Sequence, residues 1–257
     1  MKVLAAARRA FDSVPIYRRL YGDRPARARA VRAIGPSAFH LADSVADCVV
    51  DADAVVAAVT PLCRGLPRLP FSSVEDCAEA QAREQRLLAA LDLLGCATSG
   101  VRSLLLADDA TGPLAARLSN SLAASGGSAS ILFHAADPVE TGRAAAALDP
   151  RYLILLANVP RLDELGATGS TVLRLVGLDG WRRSDRRVDR LLFSDELHAI
   201  GAARAGEQFT LLTEGGLVFE ANDPGGQLLV TTAAFSCLPL IRYALGPTGD
   251  DLRQGRP

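Results

Sequence analysis

Apolar positions recur at helical spacing through the first third of the chain and then contract into short, nearly continuous runs. Leu4 to Phe11, Pro15 to Tyr21 and Asp23 to Arg32 alternate Ala-rich and Arg-rich faces with the period of a helix, and Pro15 is a favoured first helical residue. Asp53 to Val59 predicts a further helix that Pro61 stops. A loop rich in Pro and Gly, Thr60 to Pro70, then leads to the strongest helical signal. There Ser72 or Ser73 can cap, Glu75 and Asp76 sit in the first turn where the helix dipole favours negative charge, and apolar positions continue to Leu94.

Beyond residue 95 the pattern changes. Ser130–Phe133, Tyr152–Ala157 and Val172–Val176 read as buried strands, with helices near Leu114–Ala124 and Val139–Leu148 between them. Strands separated by crossover helices predict a parallel sheet. From Arg190 onward the runs Leu191–Phe193, Phe209–Leu212, Leu217–Glu220 and Leu228–Thr232 come without long helices, and the turns at Glu214–Gly216 and Asp223–Gly226 join them as a meander or hairpins. The expected fold class is therefore α/β: a parallel-type sheet with flanking helices plus a C-terminal β-meander. It divides into a mostly helical region over 1–95, an α/β core with the meander over 96–246, and a loose tail over 247–257.

Composition narrows the function classes. The chain is 257 residues long, enough for a substantial core, and with 49% hydrophobic but 5% aromatic residues that core must be built from Ala, Leu and Val. A net charge of −1 argues against nucleic acid or anionic lipid as a partner. The basic clusters Arg24–Arg32 and Arg182–Arg190 are flanked or interrupted by Asp23, Asp185 and Asp189, as solvated faces are. Five widely spaced cysteines and three histidines form no metal-ligand pattern, which reads as reduced, mostly buried thiols. No secretory signal or membrane-length apolar run is seen, so a soluble, cytoplasmic protein is expected.

Four separated pieces carry a resemblance. Residues 226–243, GQLLVTTAAFSCLPLIRY, resemble the GELVVTTLxxxAMPLIRYRTGD segment of the phenylacetate–CoA ligase-like branch of adenylate-forming enzymes. Val14–Tyr21, VPIYRRLY, is similar to that family's Pro and Tyr-Arg element near the start. Arg68–Asp76, RLPFSSVED, resembles its LPFTTKxD element, and Ala97–Ser103, ATSGVRS, falls where its TSGTTGxP phosphate loop belongs. The resemblance implies a reduced adenylating-enzyme N-terminal domain. It further implies ATP with magnesium, and coenzyme A, as cofactors, and a small carboxylic acid or its acyl thioester as substrate.

Residue by residue, the resemblance implies that Thr98, Ser99, Gly100 and Arg102 stand for the phosphate loop, which needs small residues so that backbone N–H groups converge on oxygens. The second Thr-Gly of that loop and its lysine are replaced here. Phe193 to Glu196, FSDE, takes the place of the aromatic-Gly-x-Thr-Glu element, so Phe193 is implied at the adenine and Glu196 at magnesium as a hard oxygen ligand. Arg242 and Tyr243 of the family's Arg-Tyr run remain; the resemblance implies Arg242 as catalytic, and a structural role at a strand end explains both equally well. Asp250 stands for the ribose-binding aspartate only if a three-residue shift is absorbed at Pro247. The family's second domain carries a lysine that stabilises the transition state, worth several kcal/mol. The sole lysine here is Lys2, at the other end of the chain.

Other catalytic templates are missing: there is no GxSxG elbow, GxGxxG fingerprint or HExxH pair. Gly126-Gly127 reads as a helix C-cap, Cys96 as a small hydrophobe, His134 as a loop histidine, and His198 and Trp181 as packing residues. Three functions remain open. The first is an acid–thiol ligase with impaired or lost ATP chemistry. The second is an enzyme that takes a preactivated acyl thioester without ATP. The third is a non-catalytic homologue that binds a full-length ligase, a carrier protein or a second copy of itself.

Overall fold

The computed structural model describes residues 2–51, 57–59, 73–109, 111–133, 138–156, 169–177, 186–194, 196–222, 227–234, 237–247 and 252–254. Helix α1 (Lys2–Ser13) buries Ala6, Ala7 and Ala10, a face of small side chains that lets its backbone lie close to what it covers. Helix α2 (Pro15–Tyr21) has its proline in the first turn and ends at Gly22, whose positive φ of 73° lets its N–H reach the Arg18 carbonyl. The helix expected over 23–32 is reduced to a 3₁₀ turn at Ala28–Ala30. Pro25 cannot sit inside a helix, and the carbonyls of Pro25 and Ala26 accept hydrogen bonds from the Arg8 guanidinium. Two further 3₁₀ turns follow, at Pro36–Leu41 and Val45–Asp47.

The segment expected as a helix over 53–59 is instead, where described, strand β1 (Ala57–Val59), paired antiparallel with β2 (Ser73–Glu75). Ser73 therefore belongs to a strand, and the cap of helix α3 (Cys77–Leu94) is Asp76, whose Oδ1 accepts the Glu79 N–H at 2.7 Å. The chain continues through β3 (Arg102–Ala107), α4 (Gly112–Ala124), β4 (Ser128–Phe133), α5 (Pro138–Leu148), β5 (Tyr152–Leu155), β6 (Thr171–Gly177), β7 (Asp189–Ser194), β8 (His198–Ala203) and β9 (Phe209–Leu211). After a 3₁₀ turn at Glu214–Gly216 come β10 (Leu217–Asn222), β11 (Gln227–Thr232), β12 (Tyr243–Pro247) and β13 (Leu252–Gln254), so the segment read as a loose tail contributes a short strand.

These elements group into two compact units. One comprises residues 87–194 and 198–210, and its sheet runs in the order β9-β8-β7-β6-β5-β3-β4. The pairings β3–β4, β3–β5, β5–β6 and β6–β7 are parallel, and β7–β8 is antiparallel. Strand β3 is buried from Ser103 to Ala107 because helices cover both faces of a parallel sheet, which makes it a continuous Leu run instead of an alternating one. On one face Leu104, Leu106, Leu153 and Leu155 pack with Ala145 of α5, and half-buried Leu132 and Val172 extend the cluster.

The other unit comprises residues 1–86, 195–197 and 211–257. Its three-stranded antiparallel sheet, β10-β11-β12, holds two of the four runs expected in the meander, Leu217–Glu220 and Leu228–Thr232, with a register shift between Leu228 and Leu229, whereas the runs Leu191–Phe193 and Phe209–Leu212 supply strands to the larger sheet. An aromatic group of Tyr17, Tyr21, Phe39 and Tyr243 forms its core, with edge-on contacts from Phe39 to Tyr17 and to Tyr243. The buried Tyr17 hydroxyl donates to the Pro239 carbonyl at 2.5 Å and accepts from the Ile241 N–H at 3.2 Å. Two of the motif segments recognised in the sequence, 14–21 and 226–243, are thus hydrogen-bonded to each other.

Candidate functional site

The first half of α3 places Glu79, Arg83 and Arg86 at spacings of four and three residues, which puts them on one helical face. Glu79 Oε1 accepts from Arg83 Nε at 3.1 Å and from Arg86 Nη2 at 3.3 Å. Both arginines then reach past it to main chain. Arg83 Nη2 donates to the Glu196 carbonyl and Arg86 Nη2 to the Leu197 carbonyl, each at 2.9 Å. The Glu196 carboxylate completes the group, Oε1 accepting from the Tyr243 hydroxyl at 2.8 Å.

This cluster is dry. Glu79 is 5% exposed, Arg83 2%, Arg86 1% and Glu196 4%. Two guanidiniums and two carboxylates balance in charge, as buried ions must. Burial lowers the Arg86 pKa, Glu79 opposing that effect, and its Nε has no hydrogen-bond partner among the described residues. Chemically the group is suited to holding a turn in place: both carbonyls of the 196–197 turn take a charged donor.

Arg242 lies one residue from Tyr243 and adopts a left-handed φ of 47°, uncommon for a side chain with a Cβ. Four bonds hold it. Its Nε meets Glu220 Oε2 at 3.1 Å, Nη1 donates to the Val31 carbonyl at 2.8 Å, its N–H donates to Thr231 Oγ1 at 2.9 Å, and its carbonyl accepts from the Ile34 N–H at 3.0 Å. The backbone is over-determined there, the condition under which strained conformations persist. The nearby Tyr21 hydroxyl is buried with no hydrogen-bond partner among the described residues, and burial raises its pKa well above the ordinary phenol value while Arg242 pulls the other way.

Glu196 and Arg242 are therefore brought into one unit, linked through the adjacent Tyr243. The remaining sequence candidates fall elsewhere. Thr98, Ser99 and Gly100 form an exposed turn in the other unit. The Gly100 N–H donates to the Gly126 carbonyl at 3.0 Å, the Val101 N–H to the Thr98 carbonyl at 3.2 Å, and the Thr98 hydroxyl to the Gly95 carbonyl at 2.8 Å. The amides of Gly100 and Val101 are thus engaged by protein oxygens. The turn also precedes β3, at the N-terminal end of a parallel strand, whereas ligand crevices of such sheets open at the C-terminal ends. Arg102 is an exposed strand residue 3.7 Å from Asp149. Phe193 is buried and stacked on His198, ring centroids 5.2 Å apart. Asp250, together with Asp195, His134 and Trp181, lies outside the described residues.

The implied cofactors can be tested against these groups. Among the described residues no cluster of three or more His, Cys, Asp or Glu is placed to hold a metal ion, and the Glu196 carboxylate accepts a hydrogen bond from the Tyr243 hydroxyl in a buried cluster. The described residues do not fit magnesium, nor do the engaged amides of Gly100 and Val101 fit a triphosphate. Sequence reasoning named Glu196, Arg242 and Tyr243 but missed Glu79, Arg83 and Arg86. The signal was there: three charges spaced by four and three residues along one face of the helix. Among the described residues no helix is long and apolar enough to cross a membrane.

No protein-family model and no curated protein sequence matches the chain. Solved structures do. 2-Hydroxyisobutyryl-CoA ligase in an open conformation, in complex with 2-HIB-AMP and CoA, superposes with a TM-score of 0.70 at 14% identity, covering 95% of this chain and 67% of that one. The same ligase in the postadenylation state with 2-HIB-AMP gives 0.69 at 13% identity, and in the thioesterification state 0.66 at 14%, covering 61% and 62% of those chains. The chain thus spans between 61% and 67% of the length of these ligases. What is shared is the fold: a mostly parallel seven-strand sheet with flanking helices and a separate antiparallel sheet, as in an adenylating-enzyme domain.

Proposed function

We propose that this chain is an adenylate-forming-ligase homologue that engages a small carboxylic acid or its activated acyl form and carries out no ATP chemistry by itself. The motif pieces at 14–21 and 226–243 support the phenylacetate–CoA ligase-like branch as its ancestry, and the ligase fold supports the broader lineage. One observation carries the reading: the Glu196 carboxylate accepts the Tyr243 hydroxyl inside a buried, charge-balanced cluster with Glu79, Arg83 and Arg86. A carboxylate that serves a magnesium–phosphate group has to present its oxygens to an open, hydrated site. Withdrawing Glu196 from this cluster would strand buried charge, at a cost of several kcal/mol. The engaged amides of Gly100 and Val101 point the same way.

A partner-binding role for the same scaffold is favoured by a different observation. Phe133, at the end of β4, is 56% exposed, and Val139, in the first turn of α5, is 60% exposed. Calorimetric titration of the chain with ATP–magnesium, AMP, coenzyme A and an acyl-CoA distinguishes these readings. The expected outcome is no saturable heat with ATP–magnesium or AMP, and binding of the acyl thioester. Saturable ATP–magnesium binding that a folded Glu196→Gln variant loses overturns the proposal. Silence toward every ligand leaves the partner-binding role in its place.

A further inference from the structure

Residues Lys2, Ala5 and Arg9 of α1 are spaced by three and four positions and form a single stripe beside the buried face of Ala6, Ala7 and Ala10. All three residues of that stripe are exposed. It forms one wall of a cavity of about 570 Å³ whose other wall is the start of β10 and the residues following β11. Leu217, Phe219 and Ala234 supply the apolar lining opposite Ala5. The two sides of that wall are tied together by the Ala233 N–H, which donates to the Gly216 carbonyl at 2.8 Å. Arg9 is fixed at the rim, its Nη2 donating to the Ala233 carbonyl at 2.6 Å. The cavity is therefore a built feature with one anchored cation.

Its chemistry is one-sided. The lining is apolar apart from Thr213 and the two cations, and among the described residues that line it none is acidic. Glu214, in the turn beside it, adds to the field at Arg86. A volume of this size lies within the usual range for small-molecule pockets, which combine apolar walls with a few polar groups that fix orientation. Two cationic side chains lining a half-open, largely apolar pocket suit a ligand with an anionic head and a hydrocarbon body.

We infer that the cavity between α1 and the β10–β11 strands is a binding site for a small amphipathic anion, its acid head at Lys2 and Arg9 and its apolar body against Leu217, Phe219 and Ala5. The head is a carboxylate or a phosphate, since both offer oxygens to a guanidinium and an ammonium. This goes beyond the ligase-derived reading and stands without it, because no residue of the Glu196 cluster lines the cavity.

Titration calorimetry of the full chain with octanoate, octyl phosphate, octylamine and octanol tests it. Octanoate or octyl phosphate, or both, saturate one site, and which of them does so assigns the head group. Octanol binds at least about tenfold more weakly, and octylamine more weakly still, because the charged head adds a favourable hydrogen-bonded contact only when it is anionic. Each methylene removed from the tighter acid weakens binding about fourfold if the chain is fully enclosed. Raising the salt concentration weakens the acids and leaves octanol unchanged. Ala5→Trp fills the chamber from an exposed helix position and abolishes binding at an unchanged melting temperature, while Lys2→Gln weakens the acids and spares octanol. Equal affinity for octanol, octylamine and octanoate overturns the inference. So does acid binding that survives in folded Ala5→Trp, or the absence of saturable binding by either acid. Nucleotide titration plays no part in these outcomes, so the two proposals fail separately.

Discussion

The Tyr243 hydroxyl donates a hydrogen bond to a buried carboxylate, and its removal tests what that bond contributes to the Glu196 cluster. Tyr243→Phe keeps the ring against Phe39 and deletes the donor to Glu196 Oε1. A buried charged acceptor deprived of one partner costs about 1–3 kcal/mol. Urea denaturation should show a lower midpoint by that amount with an unchanged slope. A variant as stable as the parent would mean that the cluster does not depend on this bond. The sequence pointed to Glu196 and Tyr243 through motif resemblance, yet it hid the link between Glu196 and Arg83, 113 residues away in the chain. A motif marks a position; only three-dimensional packing decides whether its carboxylate faces solvent, a metal or a guanidinium.

Two turns of similar backbone geometry differ in what surrounds them, which gives an internal comparison between elements. Gly100, in the 98–101 turn before β3, has φ +78° and open space where a Cβ would project. Gly216, at the end of the 3₁₀ turn before β10, has φ +80° with Ala234 Cβ 2.5 Å and Ala234 N 2.8 Å from that point. Gly100→Ala should cost only the left-handed backbone penalty of about 1–2 kcal/mol. Gly216→Ala adds a steric clash of about 1–3 kcal/mol to the same penalty, because main chain has to move. Parallel thermal and urea melts of the two variants read the difference, and equal losses would refute it. Most strands were legible because apolar runs between crossover helices admit few alternatives. Strand β3 was obscured by its likeness to a phosphate loop, and β8, with the sequence HAIGAA, by Ala and Gly, which carry little strand preference. The helix expected over 23–32 failed at Pro25, where a local rule outweighed the periodic pattern.

At the scale of the whole molecule, three cysteines report on burial. Burial pushes the thiols of Cys48 and Cys237 up to about 11 and that of Cys96 up to about 12; Asp47, Asp76 with Glu79, and Asp189 respectively add to it. The buried phenol of Tyr17 is raised as well, again chiefly by burial. The sign follows from linkage. Below the ordinary thiol value of 9 both folded and unfolded chains hold these protons and stability is indifferent to them. Above it the unfolded chain releases protons that the folded chain retains, so stability falls from about pH 9 toward 12. Urea midpoints measured from pH 7 to 11 should stay level and then decline. Replacing Cys96 by Ser or Ala, compared at neutral pH for its own packing cost, should flatten part of that decline. A midpoint independent of pH throughout this range would contradict the burial of these groups.

The parallel pairings that run from β4 through β3, β5 and β6 to β7 have a kinetic consequence. Each joins strands separated by a long connection, so chain entropy is lost in closing every loop before the sheet returns any contact energy. Refolding of this chain is therefore governed by slow assembly of distant segments, during which Leu-rich strands such as β3 wait unpaired. Rapid dilution at high protein concentration will favour intermolecular strand pairing over the native sheet.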